Sequence, residues 1–178
     1  MDEKRMQDWL EKIRQNKKLE ADLSKEEDLS IALMNLVSLE EHFYFSAMKT
    51  GKRKYLEMLN STREIRKRLL KKIVTVPEGE EWCISKHLLA ASMRLIEVGT
   101  KELGAGNREA AATLFTDAFG LYSLFIAINN KLIKSEELFK ETESAATIDG
   151  AYESENPKNN MMTRVSAIVK KLIDCCKE

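Results

Sequence analysis

The sequence predicts an all-α protein, a bundle of antiparallel helical hairpins with about five to seven helices. Seven Gly and two Pro in 178 residues leave long stretches without the residues that interrupt helices. Apolar side chains also recur every three to four positions through most of the chain, giving each segment one stripe to bury against a neighbour.

Residues 2–18 place Met6, Trp9, Leu10 and Ile13 on one helical face and charged residues on the others. Ser24-Lys25-Glu26-Glu27 then reads as a capping box, which starts a helix at 25. Its inward side is expected to carry Leu29, Leu33, Leu36, Val37, Phe43, Ala47 and Met48, and it stops at Gly51, suited to a left-handed C-terminal position. Tyr55, Leu56, Leu59, Ile65, Leu69 and Ile73 predict a helix over about 52–74, closed by Pro77 and Gly79.

Residues 80–103 repeat the pattern with Trp82, Ile84, Leu88, Leu89, Met93, Leu95 and Ile96, and Asn107 caps the next helix. From 107, Ala110, Ala111, Ala112 and Ala118 interleave with Leu114, Phe115, Phe119, Leu121, Tyr122, Leu124, Phe125 and Ile128. That helix is apolar on several faces, so it belongs at the centre. Ser135 caps a short stretch through Phe139, and 141–160, polar and acidic without period, reads as a flexible linker. Met161, Val165, Ile168, Val169, Leu172, Ile173 and Cys176 form a last stripe, which must dock because so short a helix is marginal alone. The expected organisation is an arm over 1–24, a bundle core over 25–140, a linker over 141–160 and a C-terminal helix over 161–178.

Lys plus Arg and Asp plus Glu each total 29, so the whole molecule has no electrostatic pull toward nucleic acid or an anionic membrane; any such partner must be read from a local patch. No apolar run approaches the roughly 20 residues that span a bilayer. Three cysteines, Cys83, Cys175 and Cys176, are too few for a disulfide scaffold. A cytoplasmic location without a membrane partner is the expectation.

Two constellations carry chemistry. Cys83 and His87, four apart on one helix face, offer a thiolate and an imidazole to a transition metal. Glu41 and His42 complete that set if their helix packs beside it, with Glu40 and Glu97 as further carboxylates. The second is basic: over 52–72, nine Lys and Arg stand against Glu57 and Glu64, and Arg63, Arg66, Lys67 and Lys71 are the candidates for nucleic-acid phosphates or an acidic partner. No Gly-rich phosphate loop, dinucleotide fingerprint or Ser-His-Asp order is present, so the sequence favours no enzymatic activity.

Within 92–123, Gly99, Gly106, Ala111, Phe115 and Ala118 fall at the Gly, Gly, Ala, Phe and Ala spacings of a tetratricopeptide repeat, and the segment resembles one such hairpin. It departs from the repeat at Glu102, where an aromatic is usual, and at Ser123, where Pro is usual. The stretches EEHFYFSAMKTGKRKY and WCISKHLLAASMRL are similar to those of small uncharacterised helical proteins of archaeal and related prokaryotic genomes. The resemblance implies a helical hairpin at the centre of the bundle and no activity. The function expected is a non-enzymatic protein–protein interaction, scaffold or adaptor module, self-associating or gripping a partner through its terminal helices.

Overall fold

The computed structural model describes residues 4, 7–8, 11, 17–132 and 161–170. The helical stretch expected near Ser135, the linker expected over 141–160 and the end of the C-terminal helix lie outside them. The described residues are all-α, without a strand. Helix α1 spans Lys17–Thr50, α2 Lys54–Ile73, α3 Glu81–Gly104, α4 Arg108–Asn129 and α5 Met161–Val169. Lys4, Gln7, Asp8 and Glu11, on the polar face expected of the N-terminal segment, are helical and exposed.

α1 begins at Lys17 rather than at 25. Residues 17–23 contain no Gly or Pro and tolerate a helix interior, so Ser24 and Glu27 lie inside the helix rather than at its start. The border drawn between arm and core falls within one helix of 34 residues, about 51 Å long.

α1 and α2 form one hairpin, α3 and α4 a second, α1 also packs on α3, and α5 lies on α4. The first hairpin turns at Gly51, whose φ of 66° is the left-handed value that favours glycine, and its N–H bonds to Ala47 O at 2.8 Å.

Two cores organise these elements. The first joins Leu33 and Met34 of α1, Leu70 and Ile73 of α2, Val74, Leu89 of α3, and Tyr122 and Phe125 of α4. The second joins Leu124, Ala127 and Ile128 of α4 to Leu132 and to Val165 and Val169 of α5. α4 thus serves both cores, as its apolar faces predict. Its length and hydropathy also meet the requirement for crossing a bilayer, and half of that apolar window is buried inside this bundle.

The α3–α4 contact is close because α3 presents small residues at a spacing of seven: Ser85, Ser92 and Gly99, all buried. Ser92 Oγ donates to Ala118 O at 2.8 Å, and Asn129 Nδ2 donates to Ser85 Oγ at 3.1 Å. A Cβ on Gly99 would stand 2.7 Å from the Phe115 ring. On the far side of α4, a Cβ on Gly120 would stand 2.5 Å from Met162 Sδ, so this glycine sets how closely α5 approaches.

Polar ties cross the cores without an orphan: no buried side-chain N or O among the described residues lacks a hydrogen bond. Ser30 Oγ donates to Glu27 O at 2.6 Å and therefore accepts from Tyr122 OH at 2.7 Å, linking α1 to α4. Burial pushes the Tyr122 phenol up to about 12; the bond to Ser30 opposes this, and the charges of Glu27 and Asp28 add to it. After α4, Lys131 takes a left-handed φ of 55° and reaches back to the buried Glu81 carboxylate at 2.7 Å and to Val76 O at 3.2 Å. Glu81 also accepts the Glu78 N–H at 2.9 Å, fixing the 74–80 turn to both hairpins.

Two outcomes are expected. Gly120→Leu should expel α5: the amides of Val165 and Val169 lose hydrogen-exchange protection while those around Phe125 keep theirs. Because the Tyr122 phenol is raised from 10 to about 12, its stabilising effect is complete below pH 10 and disappears as pH rises from 10 to 12. Thermal unfolding across that window should show this alkaline loss in the wild type and less of it in Tyr122→Phe.

Candidate functional site

The face of α1 that meets the second hairpin is defined by spacing: positions 30, 34, 37, 41, 44, 45 and 48 recur at steps of three and four. Ser30 and Met34 are buried and Val37 half-buried, but beyond them Glu41, Tyr44, Phe45 and Met48 are bare. Phe45 is 64% exposed and Met48 59%, although Met48 was expected inside. Neither core draws a residue from 37–68 or from 94–118, so the hairpins share their apolar contact at one end only. Leu56 of α2 and Ile96 of α3, also expected inside, are exposed for the same reason, whereas Ile65, likewise expected inside, lies on the outward face of α2.

Between α1 and α3 lies an open groove of about 640 Å³, lined by Asn35, Ser38, Leu39, Glu41, His42, Phe45, Arg94 and Glu97. Arg94 donates from Nη2 to Glu41 and from Nη1 to Glu97, tying α1 to α3. One guanidinium between two carboxylates leaves the groove wall one negative charge in excess, next to the Leu39 and Phe45 side chains. The Tyr44 and Phe45 rings meet edge to face at 5.2 Å.

Of the expected metal ligands, Glu41 and His42 enter this groove together with Glu97, but Cys83 and His87 do not. His87 lies seven residues before Arg94 on α3, about 10 Å along the axis, and Cys83 one turn further. Both are exposed. Among the described residues no three His, Cys, Asp or Glu side chains converge on a metal-sized centre. The physical reason is visible at Arg94, whose fixed cation already engages the two carboxylates.

The basic residues also separate. Arg63 and Lys71 are exposed, and Lys67 is half-buried and bonded to Glu64 at 2.9 Å. That bond from Lys67, helped by the charges of Lys67, Arg63 and Arg66, holds the Glu64 carboxyl below its usual range against the opposing effect of desolvation. Arg66 leaves the outer surface altogether. It is 5% exposed, and its Nε and Nη2 grip the Glu40 carboxylate at 2.5 and 3.2 Å, pinning α2 to α1. It is therefore a structural ion pair rather than a surface cation. Sequence reasoning passed over Arg94 and Phe45; the one local signal for Arg94 is its three-residue spacing to Glu97.

Breaking the buried pair with Arg66→Ala should cost about 3–5 kcal/mol, because Glu40 would be left charged and unpaired, whereas Arg66→Met with Glu40→Leu should unfold at or above the wild-type temperature. Arg63→Ala should change stability by less than about 0.5 kcal/mol. Chemical denaturation of the four proteins measures all three differences.

No protein-family model, no curated protein and no solved structure matches the chain.

Proposed function

We propose that the chain is a non-enzymatic helical interaction module that receives a partner protein at the bare end of α1 and the adjoining α1–α3 groove. One observation carries the reading: the face of α1 that is buried at Ser30 and Met34 continues uncovered through Phe45 and Met48. Large apolar side chains exposed in a row beside a groove are what a protein interface requires, since aromatic and Met anchors supply most binding energy and charges at the rim supply specificity. Tyr44, Phe45 and Met48 are those anchors, and Glu41, Arg94 and Glu97 form the rim. The tetratricopeptide-like spacing of α3 and α4 fits this reading, because such hairpins present helix faces to partner segments.

The test places a photo-crosslinking amino acid at Phe45 and, as a control, at exposed Thr113 of α4 in living cells. A discrete crosslinked species is expected from position 45 and not from 113. It should vanish when Met48→Glu is added. Equal, diffuse labelling from both positions would dismiss the interface. Self-association is read separately by light scattering on the full chain and on a chain ending at Lys140; identical monomers would remove the terminal helices from the account.

A further inference from the structure

The outer face of α2 has no role in either core or in the groove. Lys54, Met58, Ser61, Ile65, Arg68 and Lys72 succeed one another at steps of four and three, so they share one face, and all six are exposed. The row runs about 27 Å along the helix. Met58 and Ile65 at its middle are 45% and 41% exposed, and cations flank them on both sides. Among the described residues Lys54, Arg68 and Lys72 pair with no carboxylate, and the two acidic residues of α2 are engaged elsewhere, Glu57 near Arg53 and Glu64 with Lys67. From 49 to 72 ten Lys and Arg stand against these two Glu, while the whole chain balances at 29 and 29. α2 is therefore the positive pole of a neutral molecule.

We propose that α2 lies flat on an anionic phospholipid bilayer, with Lys54, Arg68 and Lys72 at the headgroup phosphates and Met58 and Ile65 at the acyl boundary. A lipid surface uses both components of the row, since interfacial helices combine apolar insertion with attraction to anionic lipid. Lys71, on the flank of the row, reaches the plane by extending its aliphatic stem. Nucleic acid would use the cations alone. Met58 and Ile65 have no partner on a phosphate backbone, and Tyr55, the only aromatic residue in α2, is half-buried and offers no stacking platform. Whole-chain neutrality does not oppose this, because surface attraction decays within a Debye length and is governed by the face turned toward the bilayer. The proposal uses none of the residues of the α1–α3 groove.

The test is co-sedimentation of the intact chain with phosphatidylcholine vesicles, with and without phosphatidylserine, at low and high salt. Binding is expected only with phosphatidylserine, and high salt should release it. Arg68→Glu with Lys72→Glu should weaken binding at least 25-fold, about fivefold for each cation removed. Met58→Ser with Ile65→Ser should weaken it severalfold and leave the salt dependence intact. Lys101→Glu with Arg108→Glu, the same change in net charge at exposed positions of the second hairpin, should leave binding within twofold. The proposal falls if the chain ignores phosphatidylserine vesicles at low salt, if the second-hairpin pair weakens binding as much as the α2 pair, or if a parallel gel shift retains duplex RNA or DNA while the vesicles sediment without the chain.

Discussion

The structure depends on α4 being covered from two sides at once. A helix that carries Phe125 and Tyr122 on one side and Leu124, Ala127 and Ile128 on the other cannot leave either side in water, so its C-terminal half must have helices on both. α3 approaches closely enough because Ser85, Ser92 and Gly99 keep its facing side small, and the two serine hydroxyls find acceptors or donors in the contact. α1 and α2 then close the first core through Leu33 and Leu70, against Leu89 of α3, and α5 closes the second. The first hairpin is thus fixed at one end by the core and is held together elsewhere by the buried Arg66–Glu40 pair and by Ala47 and Thr62. This arrangement leaves Tyr44, Phe45 and Met48 uncovered while Ser30 and Met34 of the same helix face are dry.

Much of this was legible in the residues. Helical periodicity and scarce Gly and Pro place α2, α3 and α4 to within a few positions, and Gly51 marks the first turn, because these signals are local. The start of α1 was misplaced for an equally local reason: Ser24 to Glu27 has the composition of a cap, but a cap forms only where the preceding residues leave the helix, and residues 17–23 have no cause to leave it. Inward positions agree with the structure where the two hairpins meet and, within the first hairpin, at Ala47. Periodicity marks Met48 and Leu56 as stripe residues but carries no information about where the opposing hairpin stops, and it counts Ile65 in a stripe although the buried face of α2 runs through Thr62, Arg66, Leu70 and Ile73.

The candidate site was legible in part. Glu41, His42 and Glu97 are expected to approach each other, and they do line one groove, since Glu41 and His42 are neighbours on α1 and pairing of α1 with α3 brings Glu97 to them. The separation of Cys83 and His87 from them depends on the offset between α1 and α3, which no local pattern specifies. Charge runs share this difficulty. Nine cations in 21 residues look alike in sequence, yet one turn of register decides that Arg66 faces Glu40 inside while Arg63, Arg68, Lys71 and Lys72 stay in water. The single-residue choice of helix phase is what converts a generic basic segment into one internal clasp and one external face.

The seating of α5 has a kinetic consequence. Thirty-one residues separate Asn129 from Met161, whereas each hairpin is closed by a short turn. α5 is therefore joined to the rest by the longest connection between the described helices, and the second core can close only after that connection brings α5 back onto α4. Until Met162 slides over Gly120, the strip formed by Leu124, Ala127 and Ile128 faces solvent. A nascent or stressed chain would expose that strip before anything else, which makes the α5 latch the natural point at which quality control by chaperones, or aggregation, would first engage this molecule.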